Sequence, residues 1–219
     1  MPDRVTLVTG AGAGIGRAIA ARLAREGMAV VFADADERGG AQTARHIEAG
    51  GGSTAFVLTD VAVEADVRRM IHFSQQRFGG LDVLVNNAGG AAEPHFPQAE
   101  PEHWSRTLDI NLRGVMLGIH FCIPAMREHG GGAIINVSSM AGIGYEPYEA
   151  PEYAASKAGV VRLTAALGSL KDELGIRVNC ICPGWVETPA VRRALATTTP
   201  EERAALAFPP PPVLIKPDE

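Results

Sequence analysis

The sequence predicts an α/β protein: one doubly wound domain built on a parallel sheet of six strands, order 3-2-1-4-5-6, with helices on both faces. Three observations lead there. Short apolar runs alternate with longer stretches of helical spacing along most of the chain. The short runs are continuously rich in Val, Ile, Leu and Ala rather than alternating, as suits strands buried on both faces. Strands that alternate with helices imply right-handed crossovers and parallel pairing.

The first strand is expected at Arg4–Thr9, and others at Met28–Ala33, Thr54–Leu58, Val83–Asn86, Ala133–Val137 and Arg177–Ile181. Helical patterns fill the gaps at Gly16–Glu26, Glu37–Ala49 and Ala65–Phe78. Pro101–Glu128 is long enough for two helices, and a further pattern runs from Pro151 to Leu174. No repeat of fixed period and no linker divides the chain, so residues 1–219 read as a single domain. After Thr188 the pattern changes: Thr197–Thr199, Pro200 and the run Pro209–Pro212 break regular structure. Residues 189–219 are therefore expected to form an irregular substrate loop and C-terminal segment, with one short helix at Glu201–Ala207.

Composition narrows the function. The chain has 219 residues, 46% hydrophobic and 21% charged, with a net charge of −5. That is ordinary for a globular domain. No cluster of Lys and Arg forms a basic stripe, so a nucleic-acid partner is not expected. No leader of secretory form and no apolar run of bilayer length is present, which points to a soluble, cytoplasmic protein without a membrane partner. Cys122, Cys180 and Cys182 are too few for a disulfide frame and lack further ligands at metal spacing, so they read as core residues. No metal is expected.

The end of the first strand carries the first chemical signal: Thr9-Gly10-Ala11-Gly12-Ala13-Gly14-Ile15-Gly16, with a helix directly after it. Unpaired N–H groups and the positive end of a helix dipole suit a pyrophosphate, and glycines let the backbone approach it. Asp34 stands at the end of the second strand, 18 residues after Gly16. A carboxylate there accepts from ribose hydroxyls and repels a 2′-phosphate. Ala13 and Ala35, the neighbouring places for a basic residue, carry no charge. The cofactor expected is NAD, with NADP disfavoured. Asp36 is better placed than Asp34 to cap the next helix.

Further motifs follow in order: Asp60-Val61 after the third strand, Asn86-Asn87-Ala88-Gly89 at the end of the fourth, then Asn111, Ser139, Tyr153-x-x-x-Lys157, Pro183-Gly184 and Thr188. Together, over residues 4–190, they make the chain resemble the short-chain dehydrogenase/reductase family, which has a Rossmann fold. The resemblance implies an oxidoreductase that moves hydride between NAD(H) and a small alcohol or ketone. It places cofactor contacts at Gly10, Gly14, Ile15, Gly16, Asp34, Asp60, Val61, Asn87, Ala88, Gly89, Tyr153, Lys157, Pro183, Gly184, Val186 and Thr188. It places catalysis on Asn111, Ser139, Tyr153 and Lys157.

In that scheme Tyr153 is the general base and acid, and Lys157 lowers its pKa and bonds the nicotinamide ribose. Ser139 holds the substrate oxygen, and Asn111 holds a water in a proton relay with Lys157. The scheme answers a physical need, since ionising a free phenol at pH 7 costs about 4 kcal/mol and a nearby ammonium reduces that. Ser138 is the rival to Ser139. Tyr145 and Tyr148, without a Lys four residues on, read as pocket residues.

The substrate pocket is expected from Ala91–Phe96, Gly142–Pro151 and the segment after Thr188, with Arg192 and Arg193 on a solvated helix face. Family members usually continue through another helix and strand, whereas this sequence stops at Glu219. A shortened chain keeps a second reading open, a nucleotide-binding protein with little or no turnover. The resemblance also implies a homo-oligomer, which the early C-terminus puts in question.

Overall fold

The computed structural model describes residues 4–91, 93–144, 150–199, 201, 210–211 and 214–218. Its sheet follows from residues that are apolar on both sides. β1 (Val5–Thr9) and the first five residues of β2 (Ala29–Asp34) are buried throughout, as two-sided cover requires. β3 (Thr54–Leu58), β4 (Val83–Asn86), β5 (Gly132–Val137) and β6 (Ile176–Ile181) complete the sheet. All pairs are parallel, in the order β3-β2-β1-β4-β5-β6, as expected.

Neighbouring residues on a strand point to opposite faces, and the two cores show it. Leu7, Val31, Leu84 and Ile134 pack on one face with α3 (Glu64–Phe78), α5 (Gly114–Glu128) and α6 (Pro151–Ala166). Val8, Val30, Phe32 and Val85 pack on the other with α1 (Gly14–Arg25) and α2 (Glu37–Ala49). Asp36 caps α2 by accepting from the Arg38 N–H at 3.0 Å.

The stretch expected to hold two helices does so without a break. α4 (Pro101–Leu108) runs into α5 through a π turn at Asp109–Arg113. Asn111 gives the reason, because its Nδ2 donates to Thr107 O, four residues back, at 2.8 Å. That is the carbonyl its own backbone N–H would take in an α-helix, so the ladder widens there. Further on, α7 (Leu170–Leu174) ends in Gly175 at φ 68° and leads into β6.

Two expectations need correction. Pro189–Thr197 is a helix, α8, not irregular chain: Thr188 caps it by accepting from the Val191 N–H at 3.2 Å, and Pro189 opens its first turn. Ile215 also bridges to Val186, its carbonyl accepting from the Glu187 N–H at 2.8 Å. The helix expected at Glu201–Ala207 lies outside the described residues apart from Glu201, and the proline run apart from Pro210 and Pro211. The cysteines split as well. Cys122 is fully buried, which pushes its thiol up to about 12, while Cys180 on the edge strand β6 and Cys182 just after it are half-buried. Among the described residues no helix is long and apolar enough to cross a membrane.

A buried polar chain ties the second half of the sheet to α6. Asn86 Nδ2 donates to Asn136 Oδ1, and Asn136 Nδ2 to Thr164 Oγ1, both at 2.9 Å. Asn136→Leu leaves both neighbours without that partner, at a cost of about 2–4 kcal/mol. The expected outcome is a lower urea midpoint with the slope of the transition unchanged.

Candidate active site

The site forms where β1 and β4, neighbours in the sheet, send their following chain in different directions. Such a switch point opens a crevice beyond the carboxyl ends of the strands. Four bonds hold its mouth together. Thr9 Oγ1 accepts from the N–H groups of Asn87 and Ala88 at 3.0 and 3.1 Å. Asn87 Nδ2 in turn donates to Thr9 O at 2.9 Å and Gly10 O at 3.1 Å. Gly10 sits at φ 65°, and a Cβ there would lie 2.6 Å from Ala88 Cα, so only glycine closes this junction.

α1 starts in the crevice at Gly14, with no capping side chain and no acidic residue in its first turn. Asp34 reaches the loop from β2. Its Oδ2 accepts from the Gly12 N–H at 2.7 Å and its Oδ1 from the Asp36 N–H at 2.8 Å. Ala13 and Ala35 line the cleft beside it and bring no positive charge. Arg17, the first cation after the glycine loop, is engaged with Gly12 O and with Thr43 Oγ1 at 2.9 Å.

Asp60 accepts from the Ala62 N–H at 3.0 Å and pairs with Arg106 of α4 at 2.6 Å. Nothing in the local sequence announces Arg106, since the pair spans 46 residues and needs the fold to meet.

α6 places Tyr153 and Lys157 one turn apart on one face. Lys157 is only 3% exposed; its Nζ donates to Val137 O at 2.9 Å and lies 5.6 Å from the centre of the Tyr153 ring. Burial pushes the ammonium down to about 8, although the Cys180 and Cys182 sulfurs oppose that fall. The two serines part company. Ser138 is buried and its hydroxyl donates to Lys157 O at 2.7 Å, a bond that fixes α6 to β5. Ser139 faces the cleft and accepts from the Ala141 N–H at 3.2 Å, which leaves its hydroxyl proton to donate.

Asn111 is fully buried. It holds Gly90 at both backbone atoms, accepting from its N–H at 3.0 Å and donating to its carbonyl at 2.7 Å. It therefore braces the segment after β4 instead of lining the cleft. Pro183, Gly184, Val186 and Thr188 form the opposite wall, and Thr188 packs against Gly14.

Every position named for cofactor contact, with Ser139, Tyr153 and Lys157, lines a single cleft of about 650 Å³. Sequence reasoning missed Met140 and Trp185, which line it too. Arg193 of α8 is exposed, as expected, and also borders the cleft, while Arg192 pairs with Glu187 at 3.0 Å. Tyr145 and Tyr148 lie outside the described residues. Among the described residues, no group of three or more His, Cys, Asp or Glu side chains is placed to hold a metal.

A Rossmann sheet with these side chains at its switch point defines an oxidoreductase site. Residues 4–199 match the short chain dehydrogenase family model, and the chain belongs to that family. It is 36% identical to cyclohexanol dehydrogenase of an Acinetobacter species, over 86% of this chain and 75% of the relative. Cis-4-hydroxycyclohexanecarboxylate dehydrogenase of Sinomonas cyclohexanicum is 41% identical, over 86% of this chain and 76% of the relative. Among solved structures, an actinorhodin polyketide ketoreductase with NADPH superposes with a TM-score of 0.86 at 34% identity, covering 98% of this chain and 86% of that one.

The buried amine offers a direct measurement. The 13Cε resonance of Lys157 is expected to titrate near pH 8, well below the value of about 10.4 for a solvated lysine. A midpoint at the solvated value would mean that the ammonium is not buried.

Proposed function

We propose that the chain is an NAD-dependent dehydrogenase of apolar cyclic secondary alcohols, with Tyr153 as general base. The observation that carries this reading is the meeting of Ser139, Tyr153 and Lys157 with the glycine loop in one cleft. The residues present fit a dinucleotide. An uncapped helix start faces the space, a cleft of about 650 Å³ can take a large ligand, and a carboxylate stands where an adenosine ribose would lie. Gly14, Ile15 and Gly16 would hold the pyrophosphate, Asp34 and Asp60 the adenosine half, and Pro183, Gly184, Val186 and Thr188 the nicotinamide half.

Bound NAD supplies the hydride acceptor. Tyr153 then takes the hydroxyl proton of the alcohol at its phenolic oxygen, and gives it back in the reverse direction. Lys157, charged below about pH 8, lowers the cost of the phenolate. Ser139 donates its hydroxyl proton to the substrate oxygen and holds the carbinol carbon in place. Asn111 has both Nδ2 protons engaged with Gly90 and Thr107, so a relay water would bond to it through Oδ1 or its backbone.

The NAD preference rests on charge. Asp34 opposes a 2′-phosphate and no basic residue replaces it at Ala13 or Ala35, although the polyketide ketoreductase of the same fold carries NADPH. The substrate class rests on Met140, Ala141 and Trp185 in the cleft wall and on two relatives named for cyclohexane alcohols.

Titration by nicotinamide fluorescence is expected to show NADH binding at least about 10-fold tighter than NADPH, with Asp34→Asn narrowing the gap. Tyr153→Phe should lower kcat for cyclohexanol at least about 10³-fold and leave NADH affinity within about 3-fold. Turnover that survives this substitution would remove Tyr153 from the chemistry. Wild-type protein that binds NADH and turns over no cyclic alcohol would favour the nucleotide-binding reading instead.

A further inference from the structure

Glu152 precedes Tyr153 in the first turn of α6, and its side chain is only 5% exposed. An acidic residue in a first turn is ordinary when solvated, because it complements the helix dipole. This one is withdrawn from water, which is expensive for a carboxylate unless bonds replace the lost hydration. The replacements come from the segment after β4: His95 Nδ1 lies 2.9 Å from Oε1, and the Phe96 N–H donates to Oε2 at 3.3 Å. Desolvation pulls the carboxyl up, but its own backbone N–H, His95 and Phe96 outweigh that and hold it below its ordinary value.

The same segment is held at two other points. Asn111 fixes Gly90, and His103 Nε2 meets Glu93 O at 3.1 Å. The segment leaves the cleft at Gly89 and Gly90, beside Tyr153 and Lys157, and carries Phe96, which meets Trp104 edge-on at 6.4 Å.

We infer that Glu152 is a positioning residue, whose buried carboxylate clamps His95 and Phe96 so that the segment after Gly90 forms a fixed wall on the substrate side of Tyr153. The inference rests on the dehydrogenase reading for its catalytic consequence, and on geometry alone for the clamp. The clamp works through hydrogen bonds rather than net charge. A glutamine at 152 retains them: its oxygen accepts from Phe96, its amide donates to His95, and the imidazole changes tautomer. A phenylalanine at 95 keeps the ring volume and abolishes the bond.

The test uses the full chain with NAD and cyclohexanol, together with hydrogen exchange of the Phe96 amide, which needs no turnover. His95→Phe is expected to raise the KM for cyclohexanol about 10-fold, with kcat within about 2-fold and NADH affinity unchanged. The Phe96 amide should exchange about 10-fold faster. His95→Gln, which restores a donor on a different scaffold, and Glu152→Gln should both stay within about 3-fold of wild type in KM and exchange.

Unchanged exchange in His95→Phe would overturn the clamp whatever the enzyme does. Faster exchange with an unchanged KM would overturn its role in substrate placement. A Glu152→Gln protein as impaired as His95→Phe would mean that charge, not bonding, is what the site uses. A wild type without turnover would strike the dehydrogenase reading and the catalytic role together, and exchange would still decide the clamp.

Discussion

The junction of Thr9 with Asn87 is the constraint on which the rest of the site depends. It locks the ends of two adjacent strands whose following chain segments diverge, and so turns a gap in the sheet into a cleft of fixed width. Everything chemical is referred to that frame. The glycine loop starts at Thr9 on one side, and the segment braced by Asn111 starts beyond Asn87 on the other. Asn86, one residue earlier, carries the frame inward through Asn136 to Thr164 on the helix that bears Tyr153 and Lys157. Polar bonds therefore connect the loop to the helix of Tyr153 and Lys157 through the sheet, where an apolar core would transmit shape but fix no register.

The sequence made the sheet legible because strands covered on both faces must be apolar without interruption, a local property. The glycine loop and Asp34 were legible for a similar reason: each follows its strand at a fixed distance along the chain. The caps were partly so. Asp36 is legible as the cap of α2, yet the equally good start signal of Thr188-Pro189 is obscured by the proline-rich stretch beyond it.

Pairings between distant residues were not legible. Asp60 with Arg106 and Glu152 with His95 join residues 46 and 57 apart, and neither member of either pair is unusual until the fold brings it to the other. Ser138 and Ser139 show the intermediate case. Two adjacent hydroxyls on an extended chain point to opposite sides, so one must serve the core and one the cleft, but only the position of α6 decides which.

The π turn at Asp109–Arg113 has a consequence for how such a chain can vary. Geometrically it is an α-helix carrying one surplus residue. The flanking segments keep nearly the phase they would have in a shorter, regular helix, so Trp104 and Arg106 on α4 and the apolar face of α5 are insulated from it. Deleting a single residue there would heal the helix and preserve both neighbours, removing little except the side chain that grips Gly90. The surplus residue is thus a detachable module, gained or lost in one step without moving the scaffold around it.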